Sequence, residues 1–558
     1  MKKMRLRFLS IIVLLAGFVT LQAQEVKNHQ LEVAKNLEIF NVLYKNLDMM
    51  YVDTLDANKV VSTGINDMLR SLDPYTEYYH EEKQKELKQM LTGKYAGIGA
   101  LIRYHQQRKR IVIDEPYAGM PAALSGLKKG DIILQIDDTL MTDKEVGYVS
   151  SHLRGEAGTT FMLKIERPST GKKMNFKIKR ESIKMPEIPY YGMRPNGVGY
   201  INLNSFTEGC SKEFRRAFLD MKHKGMKSLV FDLRDNGGGS EMEAVNIVNM
   251  FVPKGKLIVS NQGKMKRVNR DYKTTVEPVD TVMPIVVLVN GNSASASEIT
   301  SGALQDLDRA VIVGTRTYGK GLVQMTLDMP YNGTLKLTTS KYYIPSGRCI
   351  QAINYKHVNG GYMEHVPDSL TKVFYTANGR EVRDGGGIMP DIEVKPDSMT
   401  NLVYSIVALR DSNEVLLNYE LDYIASHSSI APAEDFEITD ADYDEFKARM
   451  LKSGFKYDQA TEKYLENLEK LAKLEGYYDE TQEEFANLRK KLQHNLEKDL
   501  EFNRQTLKKY ISSDIIPAYY FQKGAIINAL RGDKQIDEAL RILNAPDEYR
   551  SILEKPKK

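Results

Sequence analysis

Three serines fall within five residues, Ser293, Ser295 and Ser297, in the stretch "GNSASASEIT" (291–300). Before it, "PIVVLV" (284–289) reads as a buried strand, and after it "SEITSGALQDL" (297–307) reads as a helix. A hydroxyl at such a junction can do two things. Ser295 and Glu298 have the S-x-x-E spacing of a capping box, in which hydroxyl and carboxylate satisfy orphan N–H groups at a helix start. Alternatively, a serine can act as a nucleophile if a base takes its proton. The nearest histidines, His223 and His357, lie 72 and 62 residues away in contexts that suggest no chemistry. A Ser/His pair assembled in space stays open. Lys320 lies 25 residues beyond Ser295, after one helix and one strand that return the chain beside its start. A neutral lysine within hydrogen-bond reach is the base of the Ser–Lys variant of triad chemistry.

Lys320 also belongs to a second pattern. "GTRTYGKG" (314–321) has the G-x-x-x-x-G-K spacing of a phosphate loop after the strand "AVIV", and "LVFD" (229–232) imitates an acidic strand end that holds magnesium. The eighth position is Gly321, however, so the metal-coordinating hydroxyl is missing. The next residues, "LVQMTLDMP", are strand-like, whereas phosphate should meet a helix N-terminus. The nucleotide reading is set aside.

The elements that must position these residues are legible in outline. At 558 residues the chain is too long for one core. Its 42% hydrophobic and 27% charged residues are those of a globular protein, and a net charge of +4 gives no footprint for nucleic acid. Residues 1–23 carry a basic start, an apolar run of about 14 residues and a small residue, Ala23, the pattern of a secretory signal peptide. That run is too short to span a bilayer comfortably and no second one exists, so no stable membrane span is expected after cleavage. The expectation is an exported protein of the periplasm or cell envelope of a bacterium, or a secreted form. Two cysteines, Cys210 and Cys349, make neither a disulfide scaffold nor a metal site, and whether they pair stays open.

Residues 24–90 have helical periodicity, with "ANKVVSTGINDMLRSL" stopping at "DPY". Residues 91–184 change to alternating strands, a short helix "AGMPAALSG", and a hairpin turning at Ser169-Thr170-Gly171. "MPEIPYYGMRP" (185–195) reads as a linker. From there to 398, strands and helices alternate as in α/β layers, and a hairpin signal stands at Asn332-Gly333. Residues 399–558, rich in Glu, Lys and Leu, read as a C-terminal helical module. The 91–184 unit closely resembles a PDZ domain, especially in "GLKKGDIILQIDD" (126–138). "YAGIG" then falls where that family binds a chain-terminal carboxylate, which implies Gly97, Ile98 and Gly99 as its donors.

"SASASEI" with "GALQD", then "YGKGLVQ", resembles the C-terminal processing (tail-specific) serine peptidases with an embedded PDZ domain. "DLRDNGGG" (232–239), "SGRCIQ" (346–351) and "GGIMPDI" (386–392) match in the same order, and the similarity runs over about 35–398, leaving the C-terminal helical region outside it. The resemblance implies a crotonase-like α/β protease core with an inserted PDZ domain, an N-terminal helical segment and a C-terminal helical module. It implies Ser295 as nucleophile, Lys320 as general base and Gln324 as the residue that aims the lysine. It places the oxyanion hole at the N–H groups of Ala296 and Gly239, with Gly238 as the alternative, and gives Glu298 and Asp306 as supporting residues. For Asp306 a role in helix capping or packing stands equally open. Neither cofactor nor metal is implied. The expected partners are proteins with unstructured apolar C-terminal tails, with an adaptor and an oligomer both open. Two rival readings remain: an inactive PDZ scaffold or chaperone-like binder of the cell envelope, and a lipid- or retinoid-binding protein on a related fold.

Overall fold

The computed structural model describes residues 29–84, 87, 94–352, 368–409 and 414–554. The expected signal peptide and His357 lie outside them. Residues up to 81 together with 326–337 form one compact unit, and the remainder forms a second.

In the first unit a helix covers 29–50, and a second, Ala57–Arg70, starts at Asp56, whose carboxylate takes the Lys59 N–H at 3.0 Å. The "DPY" stop works through Asp73, whose side chain accepts the N–H groups of Tyr75 and Thr76, both at 2.8 Å. The strand Glu77–Tyr79 then pairs antiparallel with 334–336. The expected hairpin is present, but its turn sits one residue early. Tyr331 and Asn332 hold positive φ of 58° and 54°, and the return strand begins at Gly333. A Cβ at Gly333 would fall 2.7 Å from the Tyr78 hydroxyl, so the glycine makes room for that cross-strand side chain rather than for the turn.

The second unit holds a six-stranded sheet in the order Tyr190–Arg194, Val198–Asn202, Ser228–Asp232, Ile285–Val289, Val311–Gly314, Ile392–Glu393. The first pair is antiparallel and all others are parallel. The stretch read as a linker therefore contains an edge strand between Pro189 and Pro195. Prolines are tolerated there because an edge strand leaves one side of its N–H groups unpaired. Both faces of the sheet are covered, as parallel strands require. Ile201, Phe231, Val287 and Ile312 face the helices Cys210–His223, Glu241–Val248 and Ala296–Asp306. Val230, Val286, Leu288 and Val313 face the opposite way, onto Ile536, Ala539, Ile542 and Tyr549. The chain's last helices, Lys534–Leu543 and Pro546–Leu553, are thus the second outer layer of this α/β core. The helices Asn401–Val407, Val415–Ser426, Asp440–Lys452 and Arg504–Ile515 gather around a separate core of Leu402, Tyr419, Phe446, Leu507 and Ile511.

Residues 94–184 form their own small sheet, with strands in the order Ala100–His105, Arg110–Pro116, Ile132–Ile136, Thr160–Arg167, Lys172–Lys179. Ala100–His105 is its edge. A separate antiparallel pair, Lys94–Gly97 with Glu181–Lys184, closes the ends of the segment. Both cysteines are free thiols, and Cys210 is buried. No helix among the described residues is long and apolar enough to cross a membrane.

Candidate active site

Three neighbouring parallel strands, Ser228–Asp232, Ile285–Val289 and Val311–Gly314, send their carboxyl-end loops to one edge of the sheet. That is where open α/β sheets carry their sites. The three loops hold Gly238 and Gly239, Ser295, and Lys320.

The middle loop separates the three serines by role. Ser293 is buried; its hydroxyl donates to the Leu233 carbonyl at 2.8 Å and accepts the Asn290 N–H at 2.9 Å. Ser297 is buried and donates to the Asn236 carbonyl at 2.8 Å. Ser295 is half-exposed and sits at φ 57°, ψ −114°. This is sparsely populated backbone for a residue with a Cβ, held only where the surroundings over-determine it. Nucleophile-bearing strand-to-helix turns use the same device. Ser295 and Glu298 face each other in the capping-box arrangement, but only the carboxylate half is a hydrogen bond. The Ser295 N–H donates to Glu298 Oε2 at 2.9 Å, while the Ser295 hydroxyl makes no cap bond. The Glu298 and Ile299 N–H groups go instead to the Ser295 carbonyl, at 2.8 and 2.9 Å.

The glycine loop is seated by Asn236. Its Nδ2 donates to the Leu203 carbonyl at 2.7 Å, its Oδ1 accepts the Gly238 N–H at 2.9 Å, and its carbonyl accepts the Ala294 N–H at 3.0 Å. Gly238, at φ 98°, packs directly on the serine: a Cβ there would lie 2.8 Å from Ser295 Cβ and 2.9 Å from the Ala296 nitrogen. At Gly239, φ 142°, a Cβ would lie 2.5 Å from the Phe206 carbonyl oxygen. No larger residue fits either position. The Gly238 N–H is committed to Asn236, whereas those of Ala296 and Gly239 have no partner among the described residues. Ala296 opens its helix, where N–H groups are orphaned by geometry.

Glu298 organises the third loop. It is fully buried, and its carboxylate collects Thr317 Oγ1 at 2.5 Å, the Gly319 N–H at 2.7 Å and the Lys320 N–H at 2.9 Å, besides the Ser295 N–H. Burial pushes this carboxyl above its ordinary range, opposed by the Thr317 hydroxyl and the three N–H donors. Because Oε2 accepts from both, the backbone nitrogens of Ser295 and Lys320 lie within about 6 Å of each other. Gln351, from "SGRCIQ", accepts the Gly321 N–H at 2.7 Å, and Ile388, from "GGIMPDI", donates its N–H to Thr317 Oγ1 at 2.7 Å. Two of the matched motifs thus brace the lysine loop.

Of the remaining expected residues, Gln324 lies on the strand Leu322–Met329 four residues past Lys320, and its amide donates to Thr338 Oγ1 at 3.2 Å. Asp306 is at the other end of the serine helix, about 16 Å along its axis from Ser295 at 1.5 Å per residue. There it binds the buried Arg348 at 2.8 Å and the Ser346 N–H at 2.9 Å. Burial raises its carboxyl, with Arg348 opposing. Asp306 anchors the "SGRCIQ" segment rather than a reacting group. In the small sheet, Ile98 is buried and Gly99 has φ 69°, with Met120 Cβ 2.5 Å from where a Cβ would stand. The carbonyls of Ile98 and Gly99 are taken by the N–H groups of Ala122 and Tyr117, at 2.8 and 2.9 Å, and Gly97 closes the strand before them.

A peptidase-type α/β core joined to a PDZ domain is also what sequence comparison returns. The profile of peptidase family S41 matches residues 197–357, that of the PDZ domain 112–167, and that described as "Probable PDZ-protease, C-terminal helical domain" 406–543. The last match extends the likeness into the helical region that the motifs left outside. A carboxy-terminal-processing protease of Bartonella bacilliformis is 35% identical over 351 residues, 62% of this chain and 80% of that one. A probable CtpA-like serine protease of Staphylococcus aureus is 33% identical over 357 residues, 62% and 70% of the two chains. The solved photosystem II D1 C-terminal processing protease aligns with 65% of this chain and 88% of its own, at 25% identity and a TM-score of 0.37. The chain belongs to the carboxy-terminal-processing serine proteases of peptidase family S41.

Sequence reasoning missed Thr317, Arg348 and Tyr342. Thr317 and Arg348 lay inside or beside matched motifs, but their roles depend on partners 19 and 42 residues away. Tyr342 carried no signal at all. Its buried hydroxyl donates to the Lys320 carbonyl at 2.5 Å and lies 3.2 Å from that of Ser295.

Proposed function

We propose that this protein is an exported endopeptidase that cuts other proteins near their C-termini, using Ser295 and Lys320. The observation that carries this reading is the division among the three serines. Ser293 and Ser297 spend their hydroxyls on buried carbonyls. Ser295 keeps its own at a strained, half-exposed junction, beside two N–H groups without a partner among the described residues.

In this mechanism neutral Lys320 takes the Ser295 proton as Oγ attacks the scissile carbonyl carbon. The tetrahedral oxyanion is held by the N–H groups of Ala296 and Gly239, which suits donors not already committed within the described residues. The committed Gly238 N–H makes that residue the space-giver rather than the donor. Protonated Lys320 then passes its proton to the leaving amine, and the C–N bond breaks. Water, deprotonated by the same lysine, hydrolyses the acyl ester and restores Ser295. Gln324 aims the amine; Glu298 fixes the distance between the two acting residues. The core is crotonase-like.

The PDZ domain delivers the substrate. An apolar tail adds as a strand to the edge Ala100–His105, with its carboxylate at the Gly97–Ile98–Gly99 turn. An adaptor protein fits the same scheme.

The test is a comparison of purified parent and Ser295→Ala on tail peptides, with a fluorophosphonate serine probe, followed by C-terminal proteomics of exported proteins in cells carrying each. Cleavage and labelling by the parent, with neither in the variant, support the reading. A parent that neither labels nor cuts makes the chain an inactive PDZ scaffold.

A further inference from the structure

Ser295 and Lys320 sit on different loops, and each loop must hold its residue to a fraction of an ångström for proton transfer to occur. On the amide side this is done by one atom, Glu298 Oε2, which accepts both N–H groups at 2.9 Å. On the carbonyl side the corresponding atom is the Tyr342 hydroxyl, 2.5 Å from the Lys320 oxygen and 3.2 Å from the Ser295 oxygen. The hydroxyl has one proton, given to Lys320; the Ser295 carbonyl is its second, longer acceptor. Tyr342 is nearly wholly buried, and its own N–H donates to the Gly321 carbonyl at 3.1 Å. Its strand is fixed in turn by pairing with Asn261.

We infer that Tyr342 is a positioning residue for the reaction, tying the main chains of Ser295 and Lys320 together on the face opposite Glu298. The inference rests on reading these two residues as the acting pair. The two contacts that make this tie are to main-chain oxygens, not to the hydroxyl or amine that react. What makes the tie matter is the strain at Ser295: a residue at φ 57° relaxes unless its neighbours prevent it. Glu298 grips one side of that peptide, and the helix N–H groups grip its carbonyl along the chain's own axis. Tyr342 joins that carbonyl side to the lysine loop.

The test removes the hydroxyl and then restores a donor. Tyr342→Phe deletes one oxygen. Replacement by 4-methylphenylalanine fills the lost volume without a donor, and replacement by 4-aminophenylalanine returns an N–H. Tyr343→Phe, the same deletion on the next residue of the strand, is the control. Steady-state kinetics on a tail peptide are measured across pH, beside thermal melting. Both donorless variants should lose about 10- to 100-fold in kcat with KM changed less than about threefold. Their activity should also rise at a different pH from the parent, because the lysine is no longer held at the same place. The amino variant should recover most of kcat, and Tyr343→Phe should match the parent. A purely structural tyrosine would lower the melting temperature and leave kcat and the pH profile of the folded enzyme alone. Parent-like kcat in the methyl variant, or a loss that the amino variant does not recover, overturns the inference while leaving the peptidase reading intact. A parent that cuts nothing, like Ser295→Ala, overturns the peptidase reading first and this inference with it.

Discussion

Two carboxylates, Glu298 and Glu420, are equally buried and differently treated. Glu298 receives four hydrogen bonds from two loops, all shorter than 3.0 Å. Glu420, on the helix Val415–Ser426, meets the PDZ domain across a polar junction. Its closest cation, Lys129 Nζ, is 3.5 Å away, and its Oε1 has no partner among the described residues. Beside it, Arg103 Nε stands 3.4 Å from Asp114 without a well-formed hydrogen bond, and a cavity of about 220 Å³ opens between Arg103, Glu420 and Asp514. Burial alone is common to both sites. What differs is the number of donors fixed on rigid backbone, and that number separates a place that holds geometry from a place where two bodies merely meet. Backbone N–H groups cannot swing away, whereas lysine and arginine side chains can.

The comparison breaks most visibly at the rigid end. Ser295→Ala should lose at least about 10³-fold in kcat, because the nucleophile is gone. The same variant should melt within a few degrees of the parent. Its hydroxyl makes no cap bond, so less than the about 1 kcal/mol of an ordinary cap is forfeited. Lys320→Arg should be equally inactive despite keeping its charge, since a guanidinium cannot be deprotonated in the working range. Peptide hydrolysis and calorimetry read both. An active arginine variant would remove Lys320 from the mechanism and reopen the search for a histidine.

Glu298→Ala comes next. It strands four donors at once, two of them buried and two part-buried, at about 1–3 kcal/mol for each buried one left unsatisfied, so a loss on the order of 4 kcal/mol is expected with activity falling in parallel. Denaturant unfolding measures it. If Glu298→Ala and Glu420→Ala cost the same, donor number is not what distinguishes the two sites. On the PDZ side, amidating a model substrate's C-terminus should raise KM about tenfold or more, since the carboxylate that meets the 97–99 turn disappears. Equal KM for free and amidated peptides would mean the domain does not read the terminus.

Much of the rigid site was legible because it is local. "PIVVLV" has the unbroken apolar run of a strand covered on both faces, and the serine cluster, the glycines and Lys320 fall at the ends of such runs. Glu298 announced itself three residues after Ser295, but as a helix cap; that it also gathers Thr317, Gly319 and Lys320 needed the fold. Three features were hidden. The strand Tyr190–Arg194 was masked by its flanking prolines, which speak for a linker when the strand's edge position is unknown. The last two helices read as part of the C-terminal helical module, because the amphipathic pattern says that a face is covered and not by what. Tyr342 was invisible, since its role arises from a register with Asn261 set 81 residues away.

The prediction that sharpens the comparison furthest concerns pH. Burial pushes Glu420 up to about 8, against Lys129, which lowers it, with Asp514 and Asp114 adding to the rise and Arg103 opposing it. Its ordinary value is 4.5, so between pH 4.5 and about 8 the folded protein binds a proton that the unfolded chain releases. Stability from this group is therefore full below pH 4.5 and declines as pH rises towards 8, on the order of a few kcal/mol over the window. Glu414, at the same junction, behaves oppositely. Burial pushes it up, but His105 and the N–H groups of Gln106 and Gln107 outweigh this and hold it below 4.5. Its contribution is present above pH 4.5 and is lost only as pH falls through its lowered value. Glu420→Gln, of the same shape and never charged, should therefore match the parent within about 1 kcal/mol near pH 5 and exceed its stability at pH 9. Urea unfolding at several pH values reads the difference, with Glu414→Gln as the partner that should be destabilised at pH 9 as well as at pH 7. A Glu420→Gln curve parallel to the parent's from pH 5 to 9 would show that Lys129 satisfies the carboxylate after all, and the contrast with Glu298 would reduce to distance alone.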